Sequence, residues 1–484
     1  MSATITTPVE ERSENAVPSD RQVGAHVAAA MISARLDRLP VSRTGIRIVI
    51  LLSLGFFFEL YGLLATGYLA PGLMRAGIFT MTTPGLFGTS GIASFMASLF
   101  FGLFCGTLAC GFLADRYGRR TVFVYSLLWF MLTNMGMLFM NSAFAINCWR
   151  FLTGVGIGVE MVTIGTFLSE IAPMRLRGRS FALCQTFGFS AVPIVAIISY
   201  LLVPNDPLGI DGWRWVVLIG ALGGVYAWWI RRDLPESPRW LALHGRILEA
   251  DAIMCEIEAK IEAETGRPLP APADVGDIRL PEKVRFANLW VPPYRNRMIM
   301  MIMFNIFQTI GYFGFANWVP SLLISQGIGV TKSLLYTTII ALANPIGPMI
   351  GLLIGDRFER KHVIVAVAAL NVVCGLLFSQ ATDPLTISIL GVALTLAGTV
   401  ISYTYHTYQS EIFPTAIRAR AVGFVYSWSR FSAIFNAFLI AFFLRNFGVT
   451  GVFIFIGAAM IVVMLVIGLM GPRTRNVSIE KISN

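Results

Sequence analysis

Charge is what this sequence has least of. Asp, Glu, Lys and Arg make up 13% of its 484 residues, about half the share of a soluble globular chain, so a soluble body is excluded. Cysteine is also scarce. There are six, none in a Cys-x-x-Cys pair, and Cys105, Cys110, Cys184 and Cys374 fall inside apolar runs. That spacing offers no disulfide framework or metal set and reads as small packing residues. No Ser-His-Asp set, metal cluster or Walker loop stands out, so neither an enzyme nor a cofactor is expected. Residues 1–46 are polar and lack an apolar core with a cleavage site, which makes them a mostly disordered cytoplasmic tail and not a signal peptide.

Hydrophobic residues reach 56% of the chain. A bilayer core asks for about 20 apolar residues per helix, and such runs recur near 47–71, 87–113, 121–141, 146–169, 180–203 and 214–231. They resume near 298–324, 334–356, 362–380, 385–410, 421–443 and 451–471. The expected fold is an all-α membrane protein of 12 transmembrane helices in two six-helix bundles, 47–231 and 298–471. Between them, 232–297 is a cytoplasmic linker whose Ile247–Thr265 stretch has helical spacing, and 472–484 is a second tail.

Arginine placement sets the orientation, because cytoplasmic loops collect positive charge. Arg35, Arg38 and Arg43, then Arg116, Arg119 and Arg120, Arg175, Arg177 and Arg179, Arg357, Arg360 and Lys361, and Arg418 and Arg420 all fall on one side. Both termini are therefore cytoplasmic. The net charge of +10 is topological and calls for no nucleic acid.

An internal repeat joins the halves. Asp115-Arg116 and Arg119 match Asp356-Arg357 and Arg360 at an offset of 241 residues, and Ser169-Glu170-Ile171, Pro173, Arg177 and Arg179 match Ser410-Glu411-Ile412, Pro414, Arg418 and Arg420 at the same offset. Positive-inside loops would explain the arginines but not acids and proline in register.

These residues resemble the major facilitator superfamily. Gly111-Phe-Leu-Ala-Asp115-Arg116-Tyr-Gly118-Arg119-Arg120 is similar to its loop signature, and Arg150-Phe-Leu-Thr-Gly154-Val-Gly156-Ile-Gly158 to its fourth-helix pattern. Pro235-Glu236-Ser237-Pro238-Arg239-Trp240-Leu241 resembles a stretch of its sugar-porter, organic-ion and synaptic-vesicle-protein-like branches. Two departures stand out. Glu359 occupies the second loop where the signature has glycine, and Pro472-Arg473-Thr474 follows the last helix where sugar porters carry Pro-Glu-Thr. A sugar porter's seventh-helix Gln-Gln pair is absent, with Gln308 alone. That helix looks more like the aromatic-acid and metabolite:proton symporter branch, which includes nicotinate carriers. The resemblance implies alternating access, a bacterial inner-membrane location and a monomer whose partners are a small molecule, protons and lipid. It also implies a cytoplasmic gate of Asp115, Arg119, Glu170 and Arg177 with Asp356, Arg360, Glu411 and Arg418, forming ion pairs between the halves when the protein faces outward.

The transport site is sought where charge breaks the repeat. Glu59, Glu160 and Arg430 lie near the middle of spans one, four and eleven, opposite Met300, Ile401 and Phe189 at offset 241. Such a charge costs about 2.5–3.5 kcal/mol on insertion scales and usually faces a cavity. Helical spacing puts Tyr426 and Ser427 on the face of Arg430, Asn305, Gln308 and Tyr312 on one stripe of span seven, and Ser402 and Tyr405 on one of span ten. Interhelical hydrogen bonding is the alternative use of such stripes. Arg150 is assigned to packing or to a proton relay, and His406 is not assigned as the proton site. The expected function is proton-coupled symport of a small organic carboxylate, with Arg430 binding the carboxylate and Glu59 or Glu160 carrying the proton. An organic-cation carrier, a polyol or sugar uniporter and a non-transporting sensor stay open.

Overall fold

The computed structural model describes residues 20–80, 83, 91–223, 225, 234–273, 289–292, 294–355, 358–413 and 415–474. Every regular element among them is helical. Spans one to four are the helices Arg43–Arg75, Ile92–Tyr117, Arg119–Leu138 and Ala143–Ile171. Span five is Arg177–Phe189 continued by Ala191–Leu202, and span six opens with Gly212–Ala221. In the second half, span seven is Tyr294–Ala316 followed by Val319–Ser325, and span eight is Val330–Ala341 followed by Ile346–Gly355. Arg360–Gln380 and Pro384–Glu411 are spans nine and ten. Spans eleven and twelve run together as Thr415–Met470, bent where Gly448 leaves helical geometry.

Ten described stretches are long and apolar enough to cross a bilayer. One of them holds two spans across the Gly448 kink, and span six, described only in part, is not among the ten, in agreement with twelve. Gly154 and Gly158 let span four lie on span two, since a Cβ on either would come within 2.3 Å of a backbone carbonyl. Small residues serve this purpose widely in membrane helices.

The apolar packing reveals how the halves sit. One core cluster runs through the outer ends of both halves, from Leu64, Leu69 and Phe100 to Phe313, Leu323 and Ile440. On the cytoplasmic side each half has its own core, around Leu52, Phe123 and Phe167 in the first and around Met301, Phe304 and Tyr408 in the second. The ring centroids of Phe100 and Phe313 are 4.9 Å apart across the outer seam. There span one touches span seven so closely that a Cβ on Gly67 would lie 2.3 Å from the Asn317 carbonyl oxygen. The protein is closed toward the outside.

The expected disordered tail is corrected in part. Asp20–Asp37 is a helix that lays Ala29, Ile32 and Leu36 on Trp240, Leu241, Met254 and Ile257 of the linker. Arg35 and Arg38 both reach Glu258, at 2.7 and 2.6 Å, and the Asp37 carboxylate accepts the Met174 N–H at 2.7 Å. The tail helix thereby grips the loop between spans four and five. The linker helix is Ile247–Thr265.

Candidate functional site

A cavity of about 70 Å³ lies between the halves, and its wall includes Arg430, Tyr426, Tyr405, Ser402, Gln308 and Tyr312. Six of the eight residues assigned to substrate from the sequence thus meet. The other two do not. Ser427 turns its hydroxyl back onto the Phe424 carbonyl at 2.7 Å, and Ser429 lines the wall instead. Asn305 donates to the Met301 carbonyl at 2.8 Å and lies outside the wall, which Thr309, one turn on, enters.

Arg430 is 2% exposed. Its Nη2 donates to the Tyr426 hydroxyl and approaches the Met161 Sδ at 2.7 Å, while the guanidinium carbon stands 4.7 Å from the Tyr426 ring centre. Its Nε is buried without an acceptor. No carboxylate lies within ion-pair distance of Arg430 among the described residues. A guanidinium has five N–H donors arranged to match a carboxylate, and this one spends little of that capacity on the protein.

Glu59 and Glu160, the pair assigned to proton coupling, are both fully buried and are not among the residues that line the cavity. Span one gives Phe56, Leu60 and Leu63 to the wall. Glu160 presses on span one at Gly55, where a Cβ would meet its Oε1 at 2.9 Å. None of the four carboxylate oxygens has a hydrogen-bond partner among the described residues. Glu59 still feels the charge of Arg430, and Glu160 that of Glu59. The acids therefore form a buried set outside the wall, electrostatically linked to the cation in it.

Arg150 is fully buried and donates to the Gly62 carbonyl at 2.7 Å and to the Thr66 hydroxyl, with Phe95 5.2 Å away. It fastens span four to spans one and two, away from the cavity. His406 does line the cavity, its ring stacked 4.2 Å from that of Tyr405.

Sequence reasoning missed Met161, Gln185 and Phe189, which also line the cavity. The repeat held the signal. At offset 241, Met161 pairs with Ser402, Gln185 with Tyr426 and Phe189 with Arg430, so the wall is assembled from corresponding positions of the two halves. Gln308 and Tyr312 also face a second chamber of about 50 Å³ with Tyr68, Asn344 and Asn371.

At the cytoplasmic ends, Arg119 pairs with Glu170 at 3.2 Å and Arg360 with Glu411 at 3.0 Å. Each pair lies within one half, not between halves. The Arg177 Nε is buried without a partner. Asp356 lies outside the described residues, as do the side chains of Asp115 and Arg418. The loop signature receives a lid from the linker motif, because Glu236 Oε1 accepts the N–H groups of Arg119 at 2.9 Å and Arg120 at 3.0 Å. A carboxylate at a helix start is favourable for its orphan donors and its dipole. In the second half the exchange runs the other way, as Glu359 in the loop accepts the Thr474 N–H at 2.9 Å.

The family profile described as "Sugar (and other) transporter" matches residues 43–484. The chain is 34% identical over 449 residues to a putative metabolite transport protein, YyaJ, of Bacillus subtilis, covering 91% of this chain and 95% of that one. It is 26% identical over 450 residues to the niacin transporter NiaP of Acinetobacter baylyi, covering 93% of this chain and 99% of the relative. Among solved structures, a partially occluded inward-open form of the xylose transporter XylE from E. coli superposes with a TM-score of 0.71 at 18% identity, over 90% of this chain and all of that one.

Proposed function

The chain belongs to the sugar (and other) transporter family of the major facilitator superfamily, and from that premise we propose that it is a proton-coupled symporter of a small organic carboxylate. The observation that carries this reading is the separation of charges. The charge in the cavity wall is the guanidinium of Arg430, while the carboxylates of Glu59 and Glu160 lie outside the wall without donors among the described residues. An organic cation would want the reverse order. The niacin carried by one relative, as its name states, is a substrate of the class this wall suits.

In this reading the substrate carboxylate takes the open donors of Arg430, and an aromatic ring rests among Phe56, Phe189, Tyr405 and Tyr426. A proton resides on Glu59 or Glu160, since an ionised carboxylate without a donor is costly in a dry seam. Loading both lets one half rock against the other about the cavity. Uptake of labelled nicotinate into proteoliposomes under an imposed pH gradient tests this. Arg430→Ala lowers nicotinate affinity by about 100-fold, the scale of a lost charged hydrogen-bond pair. The double variant Glu59→Gln/Glu160→Gln keeps exchange of nicotinate across the membrane but abolishes gradient-driven accumulation. Full accumulation in either variant refutes the assignment.

A further inference from the structure

The Arg430 guanidinium meets a sulfur from the opposite half. Met161 sits on span four of the first half and Arg430 on span eleven of the second, and the 2.7 Å contact between them crosses the cavity. A thioether is a weak acceptor, so it is an odd partner for a buried cation whose Nε has no acceptor among the described residues. A hydrophobic wall residue would leave the cation less satisfied, and a carboxylate would occupy it permanently. Methionine lies between, and its unbranched side chain swings aside without leaving a rigid gap.

We propose that Met161 is the placeholder for the substrate carboxylate: its sulfur holds Arg430 to the first half in the empty protein and is displaced when a carboxylate binds. This rests on the carboxylate reading above. The Tyr426 hydroxyl and ring stay with the guanidinium in both conditions and keep its fork pointed into the cavity. Met161 also follows Glu160 directly in the chain. Displacing its side chain therefore acts on the turn of span four that carries a buried acid, which gives substrate binding a short mechanical route to the proton site. Specificity follows too, because a neutral hydroxyl exchanges one weak acceptor for another, whereas a carboxylate gains a charged pair.

Two substitutions at Met161 pull in opposite directions. Met161→Leu keeps the volume and removes the acceptor, so nicotinate binds about fivefold more tightly to the purified protein. Met161→Gln installs a stronger neutral acceptor and weakens nicotinate by a similar factor, the scale of one neutral hydrogen bond. Titration calorimetry with nicotinate reads both, and a thermal melt without ligand confirms that each variant is folded. Equal effects, or a weaker affinity in both, would make Met161 a plain wall residue and overturn the proposal. Arg430→Ala measured alongside separates the two levels: if it binds nicotinate like the parent, the carboxylate reading itself fails, whatever Met161 does.

Discussion

Arg119 and Glu170 make an ion pair at 3.2 Å within the first half, and the residues 241 positions later, Arg360 and Glu411, repeat it at 3.0 Å in the second. The sequence had put these charges at a clamp between halves. In a protein closed toward the outside they are instead turned inward on their own bundles, which frees the cytoplasmic ends of the halves to part. We propose that a clamp between the halves and these internal pairs are alternative uses of one set of charges, exchanged in alternating access.

Reversing one pair tests that exchange. Arg119→Glu and Glu170→Arg each reduce transport about three- to tenfold, in line with loss of a partly buried ion pair. The double reversal restores at least part of the rate. Uptake that is lost equally in singles and double would tie these residues to fixed contacts elsewhere.

The outer seam is vulnerable at one point. Gly67→Val places side-chain atoms where the Asn317 backbone already stands, so the seam between spans one and seven stays apart. In a cysteine-free background, Phe100→Cys then reacts with an impermeant maleimide from outside, while the same cysteine with Gly67 intact is protected. Transport falls to background in the Gly67→Val protein.

Glu236 and Gly118 meet at the start of span three. Gly118 has φ of 93°, and a Cβ there would come within 2.4 Å of Glu236 Oε2. Gly118→Ala destabilises the detergent-purified protein by about 1–3 kcal/mol, from left-handed strain and the lost approach. Glu236→Gln keeps the shape but halves the acceptor capacity, and costs about 1 kcal/mol. Thermal unfolding monitored by the intrinsic tryptophans orders the two.

The tail helix should be acid-labile. Burial pushes the Glu258 carboxyl up, yet the hydrogen bonds from Arg35 and Arg38 outweigh it and hold this group below the usual carboxylate range. A depressed folded-state value stabilises docking fully above the unfolded value and loses that contribution as pH falls through the folded one. Protease protection of the tail is thus flat from pH 8 to about 5 and declines below about 4. Glu258→Gln removes the protection at neutral pH.

Much of this molecule was legible because membrane helices announce themselves by length, and a duplication announces itself by register. The 241-residue offset marked the paired cytoplasmic charges, and it also marked three pairs of corresponding positions in the cavity wall that went unread. What stayed hidden was direction. Helical spacing put Glu59 and Arg430 on definable faces of their own spans, but it does not say which neighbour each face meets, and of the two only Arg430 lines the cavity. The same limit chose Ser427 where Ser429 faces the cavity. The tail was a different failure: Ala25, Ala29, Ile32 and Leu36 repeat at helical spacing, but small residues and a polar surround diluted the stripe.

Glu236 and Glu359 have a consequence for how such halves are compared. In one half the carboxylate belongs to the segment after the bundle and reaches the loop; in the other it belongs to the loop and reaches the segment after the bundle. Scored at the 241-residue offset, Gly118 against Glu359 and Glu236 against Val477 are two mismatches. Taken jointly they are one tether whose donor and acceptor segments have changed places, so residue identity between the repeats understates their kinship.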